Sequence, residues 1–388
     1  MSTWIEHFTD TISQYFDTPR VLIEALGYWA VGAALGRRVY MEGGVPMFPN
    51  MFLIIVSPPG WFRKSTASKK ALSIVRRIVG DQGILPNQAS SEAFLESIEN
   101  QDTGVLHFDE FRGYMQHMSK EYASQIHTWL MEMFETSGNH YKLKRAGKEA
   151  KSIYSNCLVS FLSTSTTAWL TSSMGKIEAL SGFLSRLIII EAHSKEKELI
   201  HQPPFDSSIL DDLAEDLFNA IDGLSGAMAF DSKSSMDLYS DCYREILTYG
   251  AKVDNPDFPS MIARAPDYLK KVAMIQAAIN GRMGVSEDDV LVAARKIIRP
   301  SITSLAEIVE EGAFANPFHK EEIRLRKVMK SLGGSAPRRD VLRAMHIRVR
   351  EFDDIVETMK QQGSISEEKR GRGVILSLSE DTSIAQDS

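Results

Sequence analysis

The sequence Met51–Thr66, MFLIIVSPPGWFRKST, carries an apolar strand into a Pro/Gly turn and then directly into Lys-Ser-Thr at a helix start. That is the construction of a phosphate-binding loop. Backbone N–H groups of a tight loop and of the first helical turn point at one spot, the helix dipole adds positive potential there, and a lysine reaches the terminal phosphates. Lys64 is that lysine, and Ser65 beside it is placed to hold Mg²⁺. The regular pattern G-x-x-x-x-G-K-[ST] puts glycine where this chain has Pro58 and Arg63, so Gly60 alone supplies the permissive backbone. Against the related form G-P-P-G-x-G-K-S, Pro58-Pro59-Gly60 is in register and one extra residue precedes Lys64. Gly60, Arg63, Lys64, Ser65 and Thr66 are the expected nucleotide contacts. The competing reading is an ordinary strand-turn-helix junction that opens on a basic residue.

At 388 residues and 43% hydrophobic content the chain can bury a large core, enough for two or three domains. Its formal charge of −7 means that any nucleic-acid contact must come from a local basic surface. Cys157 and Cys242 lie far apart without C-x-x-C spacing, which excludes a disulfide framework or zinc module and suits a reducing cytoplasm. The N-terminus MSTWIEHFTD has no signal-peptide pattern, and apolar runs such as Leu187 to Ile190 are too short to cross a bilayer. The expectation is a soluble cytoplasmic protein with no membrane partner.

Thr18-Pro19 reads as a helix start, a capping hydroxyl followed by proline, opening a nearly all-apolar helix within a helical segment of residues 1–45. Residues 46–200 alternate strand and helix. The expected strands are FLIIVS, GVLHFDEF (104–111), CLVSFLSTS (157–165) and RLIIIEA (186–192), with crossover helices after Lys64, around Ser91 to Glu99, and from Tyr122 to Phe134. Short continuous apolar runs of this kind are how strands buried on both faces of a parallel sheet read, so the fold class is doubly wound α/β. Residues 201–316 turn to helical periodicity and are read as an all-helical domain, with Ser286 capping one helix. Phe314 to His319 is read as a linker. Residues 320–379 give three helices and a hairpin, the winged-helix order, with 14 Lys and Arg against 9 Asp and Glu, a net +5. The tail 380–388 is polar and expected to be disordered.

A second half of a nucleotide site follows the loop. Val105–Phe111, VLHFDEF, is a hydrophobic strand ending in acids, placing Asp109 on the Mg²⁺ shell and Glu110 to orient or deprotonate an attacking water. The strand Cys157 to Thr166 ends in polar residues, of which Ser165 or Thr166 can meet the γ-phosphate; the plainer role is capping the helix that follows. Arg186 opens a buried strand and must find an anion, either a structural carboxylate or the γ-phosphate of a neighbouring subunit.

In the order SPPGWFRKST, VLHFDEF, FLSTST, GFLSRLIII and IARAPDYLKKVAMIQAA, the chain resembles the AAA+ ATPase core of mobile-element replicative helicases over residues 20 to 379. It resembles in particular the uncharacterised P-loop domain often joined to primases in phage and plasmid proteins, and is similar in layout to minichromosome-maintenance helicases. The resemblance implies an AAA+-like P-loop fold with a helical lid and C-terminal winged helix. It also implies ATP and Mg²⁺ as cofactors, Arg186 as a finger acting in trans, and Arg264 as sensor 2. The basic segment His140–Lys151, turning at Ala146-Gly147, would be a hairpin projecting into a hexamer's central pore. Lys142, Lys144, Arg145 and Lys148 would there hold single-stranded DNA, while a solvated basic hairpin is the plainer reading. Arg338, Arg339, Arg348, Arg370 and Arg372 would meet duplex DNA from the winged helix. The implied function is an ATP-driven hexameric DNA helicase, with a separate primase as a further partner. Rival readings are a DNA-binding switch or loader without unwinding, and an ATPase that remodels protein.

Overall fold

The computed structural model describes residues 3–60, 62–135, 138–143, 151–178, 182–253, 255, 257–310, 317–361, 364–370 and 373–378. They form two compact units, residues 1–170 with 176–307, and residues 171–175 with 308–388.

The larger unit is built on a four-stranded parallel sheet in the order Thr103–Phe108, Leu158–Ser165, Phe52–Val56, Ile188–Glu191. Every residue of Phe52–Val56 and of Leu158–Ser165 is buried, which is why neither shows the alternation of a half-exposed strand; the first is apolar throughout, while the second ends in buried serine and threonine. Register places Val56 level with Ser165 on one side and Glu191 on the other. A single parallel bridge from Ile84 to Val105 extends the sheet beyond Thr103–Phe108. At the opposite edge, the outward N–H groups of Ile189 and Glu191 donate to the Ser301 and Ser304 hydroxyls at 3.2 and 2.9 Å, closing that edge against pairing.

The helix Lys64–Val79 follows the first strand, and Ser91–Ser97 and Ser124–Phe134 lie where crossovers were expected. One helix was not expected: the strand stops at Phe108, and Phe111–Met118 is helical with Glu110 at its N-cap. The run VLHFDEF looked continuous because Phe111 is as apolar as Phe108, but its ring is buried from a helix, stacked on Tyr114.

Two N-terminal helices, Trp4–Tyr15 and Arg20–Leu35, pack within this same unit. The second begins at the expected Thr18-Pro19, yet Pro19 is the N-cap and the buried Thr18 hydroxyl makes no capping bond. The first is closed by a capping box between Thr3 and Glu6. Arg20–Leu35 runs so close to the chain entering the sheet that a Cβ on Gly32 would lie 2.4 Å from the Pro49 carbonyl oxygen, so only glycine fits. The Tyr28 hydroxyl donates to Gln276 at 2.8 Å and the Trp4 indole to the Leu213 carbonyl at 2.9 Å, tying these helices to the later helical segment.

That later segment is not all helical. Gly226–Phe230 pairs in parallel with Val39–Met41 and with Gly284–Val285 in a small second sheet. GAMAF has one large apolar residue inside and no β-branched residue, so its strand exists through partners far away in sequence rather than through local propensity. Ser286 caps the helix Glu287–Ala293 as expected, in a capping box with Asp289.

The smaller unit contains helices Pro317–Ser331, Arg338–Met345 and Val349–Gln361 and an antiparallel sheet ordered Ser335–Pro337, Gly373–Leu378, Ile365–Arg370. The expected hairpin is present, and the short strand Ser335–Pro337 is an addition. Leu325, Met329, Val341, Met345, Phe352, Ile355 and Leu376 form its own core. Among the described residues no helix is long and apolar enough to cross a membrane.

Candidate nucleotide site and its opposite edge

The carboxyl ends of three adjacent strands converge, as expected for a crevice where strand order reverses. Leaving Val56, the chain turns at residues 57–60 and re-enters regular structure in the helix that starts at Lys64. Gly60 has φ +76° and Arg63 φ +46°, both in the left-handed region. Arg63 thus holds the backbone shape for which the regular loop uses glycine, at a strain on the order of 1–2 kcal/mol. It forms an ion pair at 2.9 Å with the buried Asp17, which Lys195 also holds at 2.8 Å, so the loop is braced against the N-terminal helices. Phe62 is buried, and Ser65 and Thr66 are half-buried in the first helical turn.

Lys64 itself is buried, and its ammonium donates to the Ser57 carbonyl at 3.2 Å across the loop. Burial pulls its pKa below the usual lysine value, and the nearby Glu110 carboxylate opposes that shift. Asp109 is more than half exposed and pairs with the Lys69 ammonium at 2.8 Å, with His107 Nε2 at 3.7 Å from its other oxygen. Lys69, His107, Asp109, Glu110, Asn87 and Arg112 line a cleft of about 490 Å³.

The neighbouring strand tip is bonded to the acidic one. The Ser163 hydroxyl donates to the Phe108 carbonyl at 2.9 Å and the Thr164 hydroxyl to the Asp109 carbonyl at 2.6 Å. These two residues fix the backbone that presents Asp109 and Glu110. Thr166 takes the plainer of its two expected roles, its oxygen accepting the Trp169 N–H at 3.4 Å in a helix-capping bond. Ser165 is fully buried level with Val56, and its carbonyl accepts from Ser57 N–H at 3.4 Å.

Arg186 and Arg264 are not at this site. Register sets Leu53 level with Ile188, so Arg186 lies level with Met51, six residues below Ser57. At about 3.3 Å per residue the two ends are roughly 20 Å apart. Arg186 Nη2 pairs with Glu135 Oε1 at 2.6 Å and its Nη1 donates to the Gly182 carbonyl at 2.8 Å. Arg264 Nη2 pairs with the same Glu135 oxygen, and its Nη1 with Asp267 at 3.2 Å. Beside them the buried Lys271 donates to the Asn50 side-chain and backbone oxygens at 2.6 and 3.2 Å and lies 3.9 Å from the Phe134 ring centroid.

Burial pushes the Lys271 ammonium down to about 7, with Arg264 and Arg186 adding to the effect and Asp267 and Glu135 opposing it. Below pH 7 this lysine is charged in both folded and unfolded chains. Between about 7 and its ordinary 10.5 only the unfolded chain retains the proton, so this group makes stability rise with pH through that window. Lys271→Met is expected to flatten the rise, measured as the urea midpoint between pH 7 and 9.5. Equal slopes in variant and parent would show that Lys271 is not the titrating group.

The basic hairpin has Asn139–Leu143 paired antiparallel with Lys151–Ser155, with Lys142 exposed. Tyr141 and Ile153 anchor its inner face, Tyr141 reaching Glu132 at 3.2 Å. Lys144, Arg145 and Lys148 lie outside the described residues, as does Arg372. Of the other basic residues expected at duplex DNA, Arg339 and Arg348 are exposed. Arg338 instead bridges Asp353 and Glu367, at 3.1 Å to the latter, and is held within its own unit. Arg370 ends the strand Ile365–Arg370. The helix Val349–Gln361 exposes Glu351, Asp353, Asp354 and Glu357, so the basic surface gathers at Arg339, Arg343, Arg348 and Arg350.

Lys69, Thr164, Asp17 and Glu135 were not singled out from sequence. Thr164 carried a usable signal, since it precedes the tip of the same polar strand end. Asp17 and Glu135 carried none, because their partners lie 46 or more residues away. A scan against protein-family models and a search of curated proteins by sequence found no match to this chain.

Proposed function

We propose that this chain is an oligomeric ATP-hydrolysing motor on DNA, most simply the replicative helicase of a mobile genetic element, built as an AAA+-like P-loop ATPase with a C-terminal winged helix. One observation carries the reading: Lys64, Asp109 and Glu110 stand at the carboxyl ends of the parallel strands, and Arg186 and Arg264 at their amino ends, roughly 20 Å away by strand rise. A transition state built at Lys64 therefore takes its arginines from a second copy of the chain, as a ring supplies them.

Within one subunit the roles follow from position. Loop N–H groups and Lys64 hold the terminal phosphates, Asp109 and the Ser65 hydroxyl hold the metal, and Glu110 takes the proton of the attacking water. The exposed Asp109 carboxylate already gathers a cation, the Lys69 ammonium, and its hard oxygen donors suit Mg²⁺. Mg²⁺ supplies neutralisation of phosphate charge when bound. Lys142 with Lys144, Arg145 and Lys148 grips single-stranded DNA without sequence preference. Duplex contact falls to the Arg339–Arg350 end of the winged helix, because four exposed acids repel phosphate along its third helix. Those same acids are the one observation that favours the rival reading, a protein-remodelling ATPase.

Single-stranded DNA separates the two readings. It is expected to stimulate ATP hydrolysis, and neutralising Lys142, Lys144, Arg145 and Lys148 together is expected to remove that stimulation. The same change should reduce the salt dependence of single-strand binding by about 0.7 in log–log slope for each phosphate no longer neutralised. Hydrolysis indifferent to DNA in the parent protein would favour the protein-remodelling reading.

A further inference from the structure

Resting on the shared-site reading, we propose that Glu135 is an internal stand-in for phosphate, holding Arg186 and Arg264 in a lone subunit until the neighbour's γ-phosphate displaces it. Glu135 follows the helix Ser124–Phe134 at its C-cap. A single oxygen, Oε1, receives Nη2 of both arginines. Two guanidiniums converging on one oxygen is the arrangement a terminal phosphate oxygen would meet.

The donor balance leaves room for a stronger anion. The groups facing one another are Arg186 and Arg264 against Glu135 and Asp267, with the buried Lys271 adding a third positive charge only below about pH 7. Arg186 Nε is buried and has no hydrogen-bond partner among the described residues, so Glu135 leaves part of that guanidinium's donor capacity unused. A γ-phosphate brings more negative charge and more acceptor oxygens than a carboxylate and bonds two arginines better. Glu135 is also 45% exposed, whereas Arg186 is 13% exposed, so the carboxylate is the member of the cluster that can swing away into water. Lys271, fixed on Asn50 at the foot of the Phe52–Val56 strand, shares the Phe134 ring with Arg186.

The exchange sets how readily subunits assemble around nucleotide, so the test reads the protein concentration that gives half-maximal ATP hydrolysis. Glu135→Gln keeps the shape and removes the charge, and is expected to lower that concentration by about tenfold, the equivalent of about 1.4 kcal/mol. Glu135→Asp, which keeps the charge but shortens its reach, should move the midpoint the same way by less. An unmoved or raised midpoint in both variants overturns the proposal, as does a midpoint unmoved in Glu135→Asp should Glu135→Gln fail to fold. Mixing Arg186→Ala with Lys64→Ala subunits separates this from the reading beneath it. Recovered hydrolysis with unmoved Glu135 midpoints rejects the stand-in alone, whereas no recovery rejects the shared site and the stand-in together.

Discussion

Lys64→Ala is expected to reduce ATP hydrolysis by at least about 10² to 10³, the cost of removing one preorganised charge from a developing phosphoryl transition state. The folded chain should survive the change. The ammonium is buried against the Ser57 carbonyl, and burial lowers its pKa. The substitution therefore removes a desolvated cation rather than a structural brace; the brace of this loop is Arg63 with Asp17. Glu110→Gln gives the contrasting result, nucleotide retained and turnover stopped, because the amide keeps the shape of the N-cap side chain but cannot accept a proton. Nucleotide titration and steady-state hydrolysis on both variants check the pair. Unchanged hydrolysis in Lys64→Ala would remove this loop from the chemistry.

Arg186→Ala is the second large effect, a fall in hydrolysis of about 10³ or more if its guanidinium meets the transferring phosphoryl group. Distance makes this variant informative. Its own Lys64 lies at the far end of the sheet, so a loss of that size with nucleotide affinity intact is the mark of an arginine acting on another copy. A purely structural Arg186 would act differently: losing its bonds to Glu135 and Gly182 would lower thermal stability and leave the rate per folded molecule unchanged.

The parallel sheet was legible in the sequence because strands buried on both faces cannot hide their composition. FLIIV, LVSFLSTS and IIIE each fell within an expected run, with ends shifted by two residues or fewer. The turn before Lys64 was legible for a local reason as well, since Gly60 and Arg63 both sit where the backbone takes positive φ. What escaped depends on contacts distant in sequence. Gly226–Phe230 becomes a strand only beside Val39–Met41, and Ser335–Pro337 only beside Gly373–Leu378. An arginine opening a buried strand announced that it needed an anion, but nothing near it named Glu135, an acid 51 residues earlier. The separation of Arg264 from Lys64 likewise follows from register, which no single segment encodes.

The measurement that tests the central claim most directly is hydrolysis by mixed subunits. Lys64→Ala and Arg186→Ala proteins are each expected to be inactive alone. Combined in equal amounts and verified by mass to form mixed assemblies, they should regain activity. About a quarter of randomly formed head-to-tail interfaces then join an intact loop to an intact arginine. Arg264→Ala in place of Arg186→Ala should behave the same way. Mixed assemblies that stay as inactive as their components would contradict the account, because the arginines would then not complete the site of a neighbouring copy.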